Sequence, residues 1–215
     1  MSRERRFADR RAGGRVLAEQ LGRYAGRPDV VVLGLPRGGM PVAAEVAHAL
    51  GTPLDVFVVR KLGVPGHEEL AMGAIASGDV RVLNHDVLQA VGVPEHELDG
   101  VTARELETLE ARERAYRGDR DPIELRGRTV ILVDDGLATG ATMRAAISAL
   151  KGLGVAEIVV AVPTAPRETC DALRPEVDEV VCARTPERFT AVGLWYQDFA
   201  PVSDEQVSEL LRGEL

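Results

Sequence analysis

The chain has 215 residues, 45% of them hydrophobic, and a formal net charge of -8 at pH 7; that is enough apolar material for one substantial core, so a single domain over 1–215 is expected. The acidic balance excludes the broad basic footprint of a duplex nucleic-acid binder. No apolar run approaches the roughly 18 residues of a membrane helix, and the arginine-rich start (Arg3, Arg5, Arg6, Arg10, Arg11) lacks the apolar stretch of a signal peptide, so a cytoplasmic location is expected.

Val16, Leu17, Leu21 and Tyr24 recur at helical spacing and predict an amphipathic helix over 12–24. The run Val30, Val31, Val32, Leu33 is apolar at every position, as in a parallel strand covered on both faces. Residues 34–39, GLPRGG, break it, and Pro41, whose missing N–H costs nothing in a first turn, suits a helix over 41–50. A second strand is expected over 54–59, ending in Arg60 and Lys61. From 63 to 121 the pattern loosens into apolar pieces at 71–76 and 80–83. Thr102 and Glu105 then form a capping box that opens a highly charged helix reaching Arg117. Its alternating charges (Glu105, Glu107, Glu110, Arg112, Glu113, Arg114) read as a solvated face with i,i+4 pairs. We read 63–121 as an inserted excursion of loop and helix.

Regularity returns with a strand over 130–133, a helix over 139–150 ended by Gly152 and Gly154, a strand over 158–162, a helix over 167–173 and a strand over 179–182. A last helix is expected over 203–211. This alternation defines an α/β class with a mostly parallel sheet, helices on both faces and right-handed crossovers. Cys170 and Cys182 are too few for a disulfide framework and lack zinc spacing, so both are expected as packing residues. His48, His67, His85 and His96 also lack metal-ligand spacing and are expected on loops or the surface.

Ligands of open α/β sheets bind beyond the carboxyl ends of the strands, and three such junctions are chemically unusual here. In ILVDDGLATGAT, residues 131–142, Asp134 and Asp135 close a strand, and a short turn leads into a helix. Small residues let the backbone N–H groups of Ala138, Thr139, Gly140, Ala141 and Thr142 approach a phosphate at that helix N-terminus, where the two threonines can add hydroxyls. The acids cannot serve the same anion. They need vicinal sugar hydroxyls or a hard cation such as Mg²⁺, and phosphate beside hydroxyls describes a sugar phosphate. The segment lacks the endings of a P-loop and of a dinucleotide turn; a capped turn with solvated acids is the structural alternative. The second junction, GLPRGGMP over 34–41, offers the planar cation of Arg37 and close backbone approach at Gly38 and Gly39, which suits a second anion or an ordinary turn. The third is Arg60-Lys61, two cations that fit either a ligand or a solvated strand exit.

The hydrophobic run, DD and GLATGAT resemble the signature of the type I phosphoribosyltransferases for phosphoribosyl diphosphate (PRPP). LGLPRGGMPVA, VRKLG and VDDGLATGAT together resemble a bacterial branch of that family known only as predicted phosphoribosyltransferases. The resemblance implies Mg²⁺-dependent transfer of the phosphoribosyl group to a nitrogenous acceptor with release of pyrophosphate. It gives Asp134 and Asp135 the ribose hydroxyls and, directly or through water, the metal; Ala138, Thr139, Gly140, Ala141 and Thr142 take the 5-phosphate. Arg37, Gly38 and Gly39 match the pyrophosphate loop, which in this family often carries a cis peptide, and Arg60 and Lys61 match the position of a basic residue that reaches the pyrophosphate. Arg37, Asp134 and Asp135 form the implied catalytic set.

A homodimer, a mobile lid for which 63–121 is the candidate, and a small hood built partly from 184–215 follow from the same resemblance. Ala138 stands where 6-oxopurine members carry an acid, as it does in adenine- and uracil-type members, and the acceptor stays unidentified. Arg114, Tyr116 and Arg117 can reach a phosphate or line a charged helix surface. Trp195, Tyr196 and Phe199, in GLWYQDF, can stack on an acceptor ring or anchor the last helix. A non-catalytic PRPP-sensing regulator and a sugar-phosphate phosphohydrolase would use the same seat.

Overall fold

The computed structural model describes residues 6–78 and 80–213; Arg3 and Arg5 of the basic start lie outside them. Helix α1, Arg10–Gln20, begins two residues earlier than its apolar spacing suggests, because the Asp9 side chain caps it by accepting the Ala12 N–H. Strand β1, Val30–Gly34, is buried at every position and leads through a short loop into α2, Gly39–Leu50.

The single strand expected over 54–59 is two strands. β2, Leu54–Val56, ends where β3, Val59–Val64, leaves for another sheet, so Arg60 and Lys61 sit inside a strand rather than at its exit. The break has a packing cause. Phe57 and Val58 are both buried but belong to different cores, and Val58 exchanges hydrogen bonds with Ser77 through its N–H and its carbonyl. β3 pairs antiparallel with β4, His67–Ala76, which pairs antiparallel with β5, Val80–Leu83. Helices α3, His85–Val91, and α4, Glu95–Arg117, follow. The capping box expected at Thr102 is not one: the helix starts at Glu95, and Thr102 sits in its interior with its hydroxyl donating to the Leu98 carbonyl.

The remaining elements alternate regularly: β6, Thr129–Val133; α5, Ala141–Gly152; β7, Glu157–Thr164; α6, Arg167–Leu173; β8, Glu179–Arg184; and α7, Asp204–Arg212, capped reciprocally by Ser203 and Gln206. Five strands form one all-parallel sheet in the order β2-β1-β6-β7-β8. Strand alternation divides its side chains between two layers. Val30, Val32 and Ile131 meet Leu17, Ala18 and Val46 of α1 and α2, while Val31, Leu33 and Leu132 meet Met143, Ile147 and Leu150 of α5. A third core joins the antiparallel sheet to α4 and α7 through Leu62, Met72, Leu109, Tyr116 and Val207.

Cys170 of α6 and Cys182 of β8 are joined in a disulfide, with Cα atoms 6.8 Å apart. This corrects their reading as two separate packing residues. α6 folds back along the strand that follows it, and that proximity is tertiary, with no trace in residue spacing. Among the described residues, no helix is long and apolar enough to cross a membrane. All four histidines are exposed.

Candidate active site

The strand order of the parallel sheet reverses between β1 and β6. β1 sends its chain to β2 on one side, whereas β6 continues to β7 and β8 on the other. Loops leaving neighbouring strands at such a point open a crevice beyond the carboxyl ends. Here the crevice brings residues 35–39 against residues 134–140. Gly34 is paired with Val133, and the Leu35 N–H donates to the Val133 carbonyl, so the loops depart together. A Cβ on Gly39 would lie 2.8 Å from the Val133 oxygen and 2.9 Å from the Asp134 Cα, and one on Gly38 would strike an Asp135 carboxylate oxygen. Glycine is the one residue type that permits this approach. The peptide between Pro36 and Arg37 is cis, and Arg37 is exposed with its guanidinium 3.9 Å from Asp204 of α7.

Both acids are partly buried. Asp134 Oδ1 accepts the Asp135 N–H at 2.8 Å; Asp135 Oδ2 accepts from Arg10 Nε at 2.8 Å, and the Asp135 carbonyl accepts from the Tyr196 hydroxyl. Burial pushes the Asp134 carboxyl well above the ordinary carboxylate range, and the neighbouring Asp135 charge pushes it further. Burial also raises Asp135, against the pull of Arg10. Two carboxylates thus share one guanidinium, which leaves the pair short of positive charge. Among the described residues no cluster of three His, Cys, Asp or Glu side chains could hold a metal ion.

Next to the acids, Gly140 caps α5 at φ +73°, and Ala138, Thr139, Ala141 and Thr142 are exposed. The turn is pinned from behind. Thr169 of α6 donates its hydroxyl to the Ala138 carbonyl at 2.8 Å, and Arg144 donates to the Thr139 carbonyl at 3.0 Å while pairing with Glu176. In a trans peptide the following N–H points away from its carbonyl, so these bonds direct the Thr139 and Gly140 amides to the opposite side. The sequence reading missed Thr169 and Arg144, because support from a distant helix has no local signature.

Arg60 and Lys61 are adjacent but do not act as a pair. Arg60 is ion-paired at 2.6 Å with Glu105 of α4, whereas Lys61 lines a cleft of about 740 Å³ between the antiparallel sheet and α5 that also touches Ala141 and Arg144. Successive strand residues face opposite ways. Arg117 and Tyr116 do not lie on a solvated helix surface. Arg117, with its side chain 9% exposed, binds Asp55 at 2.9 Å, Glu113 at 2.8 Å and the Val56 carbonyl, and the buried Tyr116 donates to Asp204 at 3.0 Å, which corrects the surface reading of both. Arg114 pairs with Glu110 on the exposed face.

The aromatic group divides as well. Tyr196 is buried, packed between Phe7 and Phe199 with ring centroids 5.6 and 5.1 Å away, while Trp195 is half-buried and stacks on Phe189. Arg10 and Phe7, absent from the sequence-derived site, are the N-terminal partners of this cluster. Phe7 bonds to the backbone of Trp195 and Gln197, and the Arg10 guanidinium lies 3.7 Å over the Phe199 ring.

Comparison with known proteins gives this crevice a family. The family model for the phosphoribosyl transferase domain matches residues 8–194. A Mycobacterium tuberculosis protein bearing the name "Putative phosphoribosyl transferase" is 47% identical over 205 residues, which cover 95% of this chain and 46% of that protein. The chain therefore spans about half the length of the curated relatives it matches. The "Bifunctional protein PyrR" of Corynebacterium diphtheriae is 30% identical over 135 residues, covering 62% of this chain and 52% of that protein. The crystal structure of TT1426 from Thermus thermophilus superposes with a TM-score of 0.86 at 45% identity, covering 96% of this chain and 97% of that one. The parallel sheet flanked by helices has the type I phosphoribosyltransferase-like fold, and the chain belongs to the phosphoribosyl transferase family.

Proposed function

We propose that this chain is a Mg²⁺-dependent phosphoribosyltransferase that moves the phosphoribosyl group of PRPP to a nitrogenous acceptor and releases pyrophosphate. One observation carries the reading: an under-neutralised acid pair stands beside a turn whose carbonyls are tied off from behind, which sends the Thr139 and Gly140 amides to the opposite side, while the Ala141 N–H bonds the Thr139 hydroxyl. The acids grip ribose hydroxyls, and the backbone of Ala138, Thr139, Gly140, Ala141 and Thr142, with the two threonine hydroxyls, grips the 5-phosphate.

Mg²⁺ fits the donors present. It takes one or two carboxylates and completes its shell with water and substrate phosphate, which suits Asp134 and Asp135 in the absence of any third described ligand. When bound, the ion supplies positive charge to the departing pyrophosphate. Arg37, Lys61 and the close-approach backbone at Gly38 and Gly39 neutralise and orient that leaving group as the bond at the anomeric carbon breaks. Arg60 joins them only by exchanging Glu105 for the pyrophosphate. The 63–121 excursion is the candidate lid that excludes water as a competing nucleophile. Trp195, half-buried at the rim beside Phe189, is the ring available to an acceptor. A homodimer acting in the cytoplasm accords with family membership.

Pyrophosphate release from PRPP and Mg²⁺, measured against a panel of purines, pyrimidines and amines, tests the proposal. Release that depends on an acceptor is the expected result. Tight PRPP binding with no release under any acceptor would identify a sensor instead, and inorganic phosphate appearing without acceptor would identify a phosphohydrolase.

A further inference from the structure

Arg10 is the first residue of α1, 125 positions from Asp135, and no local motif announces it. Its side chain is nonetheless one of the most fully engaged at the crevice. Nε donates to Asp135 Oδ2 at 2.8 Å, one terminal nitrogen donates to the Ala200 carbonyl at 2.8 Å, and the guanidinium plane covers Phe199. Its side chain is 11% exposed. The same Asp135 oxygen is the atom that a Cβ on Gly38 would strike, and the position of that Cβ lies 3.3 Å from Arg10 Nε.

Arg10 therefore stands where three pieces of the site meet: the ribose acid, the 35–39 loop, and the hood segment that carries Tyr196, Phe199 and Ala200. Tyr196 bonds the Asp135 carbonyl from the other side, and the backbone of residues 7–8 is sewn to residues 195–198. A surface ion pair would be worth little and would tolerate exchange of one cation for another. This one is shielded, planar and stacked, so its geometry depends on the fork and flat face that arginine alone has.

We infer that Arg10 is a positioning residue that acts through Asp135 and couples the ribose grip to the hood. It fixes the direction of the Asp135 carboxylate and cancels part of its charge, and it clamps 196–200 over the crevice with the same guanidinium. Seating of PRPP and seating of the acceptor are linked through one side chain. The inference rests on the proposed function for the identity of the ligand, but the mechanical link between Arg10 and the hood does not.

The chain's single tryptophan, Trp195, sits in that hood and reports on it directly. Arg10→Ala and Arg10→Lys are compared with the parent by acrylamide quenching of Trp195 emission and by calorimetric titration of PRPP with Mg²⁺. Arg10→Ala is expected to expose Trp195 to quencher and to weaken PRPP roughly tenfold, the scale of one lost charge-assisted hydrogen bond. Arg10→Lys should recover neither property, because an ammonium cannot reach Asp135 and Ala200 together while lying flat on Phe199. Parent-like quenching and parent-like affinity in Arg10→Ala, or full restoration of both by lysine, overturns the inference. Should Arg10→Ala not fold, Phe199→Leu removes the stack and keeps the ion pair; it must raise quenching and weaken PRPP, and unchanged values in both overturn the coupling. A parent chain that binds no PRPP defeats the functional reading instead, while the quenching comparison still decides whether Arg10 holds the hood.

Discussion

Shielded acids occur in two regions of this molecule, and they are treated differently. Beside the end of α4, Asp55 of β2 is 5% exposed, with one oxygen bonded to Arg117 and the Val56 N–H and the other to the Ile123 N–H. Arg117 is in turn shared with Glu113 and a backbone carbonyl. At the end of β6, Asp134 and Asp135 have one guanidinium between them, and burial holds both carboxyls above their ordinary range. A closed network fastens elements together and has nothing left to offer a ligand. An open one costs stability and is retained where something else completes it.

The largest effect should come from breaking the closed network. Arg117→Ala leaves Asp55 as an uncompensated buried charge, which costs about 3–5 kcal/mol and should appear as a large fall in the urea midpoint. A loss under about 1 kcal/mol, the worth of a surface pair, would mean that the contrast between the regions is false. The open network should respond in the opposite sense. Asp134→Asn combined with Asp135→Asn is expected to weaken PRPP about a hundredfold in the presence of Mg²⁺, from two charge-assisted hydrogen bonds of about 1.5 kcal/mol each. The thermal midpoint of Asp134→Asn alone should hold or rise, since asparagine keeps the bond to the Asp135 N–H without the buried charge and leaves the Arg10–Asp135 pair intact. Undiminished affinity would remove the acids from the site.

The smallest effect is a titration. Tyr116, in the third core beside the closed network, has its phenol pushed up to about 12, by burial first and then by its bond to Asp204. Burial also raises Tyr24 and Tyr196. A phenol whose folded value lies above its unfolded value of 10.0 contributes stability that is whole below pH 10 and is lost as pH climbs toward 12. The phenolate absorbance of the folded chain should stay low at pH 10, where free tyrosine is half ionised, and rise on unfolding in urea at that pH. Half-ionised tyrosines in the folded chain would contradict their burial.

The parallel sheet and the acid-closed turn were legible because both depend on local pattern: unbroken Val/Ile/Leu runs covered on two faces, and carboxylates and small residues in fixed order at a strand end. The antiparallel sheet was less so. β4, HEELAMGAIA, has one β-branched residue and four exposed positions at its start, so its strand character comes from its neighbours and not from its composition. The true start of α4 had a signal, Pro94 followed by Glu95 and Glu97, which the T-x-x-E pattern further along outweighed. Arg10, Thr169 and the Cys170–Cys182 bridge were beyond reach for one reason: each matters through a partner that the fold alone supplies.

The glycine contact between the 35–39 loop and Asp134 has a thermodynamic consequence. Because the backbones abut with no side chain between them, the proposed wall for pyrophosphate and the proposed wall for ribose are joined by a direct contact that folding itself sets in place. On the proposed function, a ligand arriving there meets a preorganised cradle and loses little affinity to conformational ordering on the protein side, and closure falls to the segments across the cleft.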